Sequence, residues 1–278
     1  MVIDFHNHTY PDKIAAETVE KLSSISNTVP YTNGTAEGLS NDLKESGIDL
    51  GIVLPVATAP RQVEKINNTA INVNTSYNNL ISFAAMHPDY EDYKQEIKRI
   101  KELGYKGIKI HPDYQGCFFD DIKYLNILEE AFKNDLIVVT HAGIDIGLPD
   151  SVHCSVDRAI NAINLLQLKE EKLVLAHTGG WRQWDQVLDK LCGKNVYFDT
   201  AFSIGKIQYK DSKKYFNLMD DDLFIKIVRA HGANKIVFAT DSPWAGHRES
   251  LEAFNRLSLT KEEKEAILYK TAKSLLNI

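Results

Sequence analysis

The chain has 278 residues, of which 44% are hydrophobic and 25% charged, with a formal net charge of −6. These values suit a soluble globular protein with a large core, read here as one domain over residues 1–278. The acidic balance and the lack of a long basic run argue against nucleic-acid binding, and no apolar stretch approaches the roughly 20 residues of a membrane span. Cys117, Cys154 and Cys192 are odd in number and widely spaced, with no Cys-x-x-Cys. That pattern predicts reduced thiols in a cytoplasmic setting, and the first strand starts too early to leave room for a signal peptide. The expected partner is a small-molecule substrate, and self-association is left open.

Apolar runs recur along the chain. "VIDFH" (2–6) is followed by "DLGIVLPV" (49–56), "LISFAAMHP" (80–88), "KGIKIHP" (106–112), "LIVVTHAG" (136–143), "KLVLAHTGG" (172–180), "NVYFDTAFS" (195–203) and "KIVFATDSPW" (235–244). They are nearly continuous rather than alternating, which is how strands buried on both faces read. Segments of helical period lie between them. In 89–104 the positions Tyr93, Ile97, Ile100 and Leu103 mark one face, and Gly104 supplies the residue after the helix end. In 121–134 the stripe is Ile122, Leu125, Leu128 and Phe132. At the C-terminus Thr260 and Glu263 form a capping box, ahead of Leu268, Ala272, Leu275 and Leu276. The alternation predicts an α/β fold, a (β/α)8 TIM barrel. A doubly wound sheet is the runner-up, but "HNHTYPDK" is no Gly-rich phosphate turn.

Barrel enzymes carry their chemistry at the C-terminal ends of strands. The ends of these runs hold His6 and His8, then His111, His141, His177 and Asp241, and His87 ends the third run. A strand places residues i and i+2 on one face, so His6 and His8 point the same way. A lone histidine at a strand end is more often structural. The collection, closed by an aspartate, points to a metal site. Nitrogen and oxygen donors without thiolate suit one divalent ion, Zn²⁺ first, with Mn²⁺, Fe²⁺ or Co²⁺ as alternatives.

His-x-His in the first run, "VVTHAG", "LVLAHTGG" and "VFATDSPW" resemble the amidohydrolase superfamily. The resemblance is closest to the amidohydrolase-2 group, which includes aminocarboxymuconate-semialdehyde decarboxylase-like enzymes. It covers essentially the whole chain. It implies that His6, His8, His141 and Asp241 ligate the metal, and that His177 polarises substrate or moves a proton. His111 is assigned to substrate contact or packing. PHP-type phosphoesterases and TatD-type nucleases share the opening but not the later motifs. Binuclear superfamily members use a carboxylated lysine at the end of the fourth strand. Lys109 lies one pleat before His111, about 6–7 Å back. One ion and an uncarboxylated Lys109 are therefore expected, its ammonium met by Asp4 or Asp199.

The implied reaction is hydrolysis of a cyclic or carboxylate-bearing amide, lactone or ester. A zinc-held water has a pKa near 7. Asp241 takes its proton and passes it to the leaving group, and His177 stabilises the oxyanion. The alternative is non-oxidative decarboxylation of an aromatic or muconate-like acid, with His177 or Asp241 protonating carbon. A barrel that only binds ligand is the third reading. Trp181, Arg182, Trp184, Trp244 and Arg61 follow strand ends and suit a planar carboxylate, or else pack loops over the barrel mouth. The insertion "YKDSKKYF" (209–216) reads as part of a lid or as a solvated loop.

Overall fold

The computed structural model describes residues 1–169 and 171–278. They form a mixed α/β fold with parallel strands, as expected from the alternation. The chain divides into two compact units. The first comprises Met1–Val53, Asn79–Ile81 and Asp199–Ile278, and the second Leu54–Asn78 and Ser82–Phe198. No helix among the described residues is long and apolar enough to cross a membrane.

In the first unit, β1 (Ile3–Asn7), β2 (Leu50–Val53) and β3 (Leu80–Ser82) form a sheet in that order, with β1 and β2 parallel and Ile3 opposite Leu50. Every residue of β1 is buried. The stretch 238–242 runs beside β1. Phe5 N–H donates to the Phe238 carbonyl at 2.9 Å and Asp241 N–H to the His6 carbonyl at 2.9 Å. These bonds fix the level at which His6 and Asp241 leave the backbone.

The second unit contains β4 (Ala84–Ala85), β5 (Gly107–Ile110), β6 (Ile137–Thr140), β7 (Leu173–Leu175) and the first two residues of β8 (Tyr197–Asp199) as successive neighbours in a parallel sheet, while Asp199 itself belongs to the first unit. Ile110 pairs with Thr140, and Thr140 with Leu175. That register brings His111, His141 and His177 off their strands at one edge of the sheet. The third apolar run thus holds two short strands rather than one, β3 and β4, broken at Phe83.

Two further elements complete the first unit. An antiparallel pair joins β9 (Lys206–Gln208) to β10 (Tyr215–Asn217), and β11 (Ile236–Val237) precedes the Asp241 turn. The 209–216 insertion is therefore the turn and second strand of a hairpin rather than a free loop. Tyr209 packs on Phe216 at 4.4 Å, and Lys210 pairs with Glu20 of helix Asp12–Ser26 at 2.7 Å.

The predicted helix faces hold with shifts. Leu103 and Ile122 are 44% and 64% exposed, because they stand at helix ends, while the buried stripe of helix Ile122–Lys133 is Tyr124, Leu125, Ile127, Leu128 and Ala131. Gly104 takes φ +88° as the terminator. The Thr260–Glu263 capping box is present. Past it, Ala266–Lys270 forms a π-helical turn, whose extra residue moves burial from the expected Leu268 to Ile267. The Ile267 carbonyl there accepts Phe238 N–H at 2.8 Å, tying the C-terminal helix to the strand that leads to Asp241.

Candidate metal centre

In the first unit, His6, His8 and Asp241 converge. His6 Nε2 lies 3.2 Å from His8 Nε2 and 3.5 Å from Asp241 Oδ1, and His8 Nε2 lies 3.2 Å from the same oxygen. A tetrahedral ion with bonds of about 2.0–2.1 Å separates its ligands by about 3.3–3.4 Å. The three atoms therefore stand at the spacing of one face of a coordination polyhedron. Asp199, buried at the end of β8, meets His6 Nδ1 at 2.8 Å. That carboxylate fixes Nδ1 as the protonated nitrogen and turns the Nε2 lone pair toward His8 and Asp241. A lone pair and a carboxylate oxygen so close are mutually repulsive without a cation between them. The donor set fits a divalent metal.

Asp241 has φ 73°, a left-handed conformation held by the hydrogen bonds around it. Tyr10, partly buried, is within the field of Asp241. Burial first, and that charge second, raise its phenol well above the ordinary value. Behind the triad lies a buried charge cluster. His247 Nε2 faces Asn7 Oδ1 at 2.8 Å and Asp4 Oδ2 at 3.2 Å, while Nδ1 is bonded to Asp42. Asp4 also accepts from Thr240 Oγ1 at 2.6 Å and from His6 N–H at 3.1 Å. Burial pushes the His247 imidazolium down, but hydrogen bonds and charge from Asp4 and Asp42 outweigh it and raise the group to about 9. Asp4 and Asp199, the carboxylates expected near the Lys109 ammonium, also serve His247 and His6.

In the second unit, His111, His141 and His177 come together. His141 Nδ1 lies 3.0 Å from His177 Nε2. Burial first, then His111 and His177, hold His141 well below the usual imidazole value, so the ring is neutral at pH 7. His111 stacks between Tyr114 at 4.0 Å and His141 at 4.3 Å, with interplanar angles of 8° and 13°. Its Nδ1 accepts Tyr114 N–H at 3.4 Å, leaving Nε2 to face Asp145 at 3.5 Å. An imidazole lone pair lies in its ring plane. His111, His141 and Asp145 bring ligand atoms close enough to form a second group able to hold a cation, although two nearly parallel stacked rings aim their lone pairs poorly at one point. His177, Thr178 and Gly179 all take positive φ, and Trp184 Nε1 anchors that turn by donating to the His177 carbonyl at 3.0 Å. Three such residues in succession mark backbone strain of the kind stored at functional sites.

The remaining sequence candidates are spread out. Trp181 is buried, edge-on to Trp184, and its N–H donates to the Ala142 carbonyl beside His141 at 2.9 Å. Arg182 is exposed over the Trp181 ring. Trp244 is half-buried, its N–H on the Asp241 carbonyl at 2.9 Å. Arg61 is exposed in a surface groove with Glu64, Asn68 and Tyr90. His87 is turned onto Asp89 N–H at 3.1 Å, a capping role. Sequence reasoning missed Asp113, Asp145, His153 and His247. Asp113 stands two residues after His111 and Asp145 four after His141, and that proximity was the one available signal.

A family model described as amidohydrolase matches residues 3–278. The chain belongs to the amidohydrolase family. Solved structures share this amidohydrolase's mixed α/β fold at low identity. The 2,6-dihydroxybenzoate decarboxylase from Rhizobium has a TM-score of 0.72 at 14% identity, covering 99% of this chain and 98% of its own. The 5-carboxyvanillate decarboxylase from Novosphingobium aromaticivorans, complexed with manganese and a nitrobenzoic acid, has a TM-score of 0.69 at 14% identity, covering 100% and 96%. A structure described as amidohydrolase II has a TM-score of 0.73 at 18% identity, covering 100% of both chains. No curated protein matches the chain.

Proposed function

We propose that this amidohydrolase is a metal-dependent carboxy-lyase that removes CO₂ from an aromatic or muconate-like acid. The observation that carries metal dependence is the convergence of His6, His8 and Asp241 at polyhedral spacing. His141 is the fourth ligand implied by the resemblance. The choice of decarboxylation is supported by the hydroxylated benzoates on which the similarly folded enzymes act. Zinc suits the donor set, and manganese is the ion of a similarly folded enzyme. When bound, the ion supplies a positive charge that holds and polarises a carboxylate with its neighbouring oxygen.

Asp199 keeps His6 in the ligating tautomer. His177 holds the proton that the carbon takes up as CO₂ departs, so that R–COO⁻ and H⁺ give R–H and CO₂. Asp241 is the alternative carrier of that proton. Trp181, Arg182 and Trp244 are the proposed wall of the substrate site, with His111 supporting it and Arg61 a more distant candidate. The protein is proposed to work in the cytoplasm.

The second reading is hydrolysis, favoured by the family description itself. In that case Asp241 is the base that deprotonates water. The deciding assay loads the protein with Zn²⁺ or Mn²⁺ and offers hydroxybenzoates and lactones in D₂O. Release of CO₂ with one deuterium fixed on the ring is the expected result. Ring opening of lactones without CO₂ release from any acid would replace decarboxylation with hydrolysis.

A further inference from the structure

We infer that Asp113 is a positioning residue that holds His141 in its Nε2–H form, so that the Nδ1 lone pair is the one presented. The consequence for metal binding rests on His141 being a ligand, as proposed above. The tautomer itself does not.

Asp113 follows β5 on the short helix Pro112–Gln115 and is buried. Its Oδ1 accepts the His153 backbone N–H at 2.9 Å and lies 3.1 Å from His153 Nδ1. His153 Nδ1 is in turn 2.9 Å from Ser151 Oγ. These contacts clamp the carboxylate and leave Oδ2 pointing inward. Oδ2 is buried without a hydrogen-bond partner, and so is His141 Nε2, 3.9 Å away. Buried polar groups are nearly always paired, and two orphans of complementary type facing each other point to a single missing bond. Closing the gap by about 1 Å makes it an ordinary charge-assisted hydrogen bond.

The neutral His141 ring has two tautomers. With the proton on Nδ1, the Nε2 lone pair faces the buried carboxylate oxygen, and two acceptors oppose each other in a low-dielectric interior. With the proton on Nε2, the carboxylate is satisfied and the Nδ1 lone pair faces His177 Nε2 at 3.0 Å. Of the two, only the second sets a donor opposite the buried carboxylate oxygen. It repeats for His141 what Asp199 does directly for His6, where the carboxylate meets the ring at 2.8 Å.

The test is ¹⁵N NMR of metal-free protein labelled at histidine, with His141→Gln assigning the signals. Wild type is expected to show Nε2 protonated and Nδ1 bare. In Asp113→Asn the amide oxygen stays on His153 N–H, so its NH₂ faces His141 and is expected to invert the tautomer. Asp113→Ala is expected to mix the two forms. The His6 signals stay unmoved in both. Metal affinity should fall about 10–100-fold in either variant. A wild-type ring protonated at Nδ1, or a tautomer unchanged in both variants, overturns the inference. A switched tautomer with unchanged metal affinity upholds Asp113 as the positioning residue and removes His141 from the ligand set.

Discussion

His6 is held from both ends of its ring, by Asp199 on Nδ1 and by the converging His8 and Asp241 on Nε2. His6→Ala and His141→Ala should each lose metal and activity together, read by elemental analysis. Full metal content in both would end the ligand assignment. His177→Asn should keep its metal and lose about 10²–10⁴-fold in turnover, as expected for a residue that moves a proton. Near-normal kcat would make His177 structural, and loss of metal would make it a ligand. His247 gives a pH signature of its own. Its folded value is raised above the unfolded 6.5 to about 9, so its stabilisation is complete below pH 6.5 and is lost as pH rises toward 9. The shift corresponds to ~3 kcal/mol. The melting temperature should fall across pH 6.5–9, and His247→Gln should flatten that slope while lowering stability at pH 6.

At the scale of elements, short strands are locked by the turns that follow them. Gly143, two residues past His141, has φ +88°, and an added Cβ would stand 2.1 Å from the Trp181 backbone nitrogen. Neither the backbone nor the space accepts a side chain. Gly143→Ala should cost about 3 kcal/mol or more in urea unfolding, through strain and backbone collision. The C-terminal helices behave differently. Thr260 accepts Glu263 N–H at 3.2 Å on the surface, so Thr260→Ala should cost only about 1 kcal/mol. An alanine at 260 that costs nothing would mean that the π-helical turn alone sets the start of this segment. That turn lends the Ile267 carbonyl to Phe238, which is why sequence periodicity misplaced the buried residue by one.

For the whole molecule, an ion that binds only the folded chain stabilises it by mass action. At a free concentration 100 times Kd the gain is about 2.7 kcal/mol, which for a chain of this size raises the melting temperature by ~5–10 °C. Zn²⁺ or Mn²⁺ should produce that rise in wild type and none in His8→Ala. The alternation of apolar runs and helical stripes was legible because burial on both faces leaves continuous Val, Ile and Leu. The residues at the strand ends were legible because the polar side chains interrupt that continuity. From these alone the sequence determined the α/β class, the family and the proposed places of the chemistry. It could not determine which carboxylate serves which histidine. Asp199 reaches His6 across 193 positions and His247 reaches Asp42 across 205, and no local pattern encodes such pairs. Nor could it separate His111, stacked flat on His141, from His8, turned edge-on to His6 at 73°. Ring orientation depends on packing from several elements at once. The tertiary structure therefore decided ring orientations, carboxylate partners and strained turns, the features on which the proposed metal binding depends.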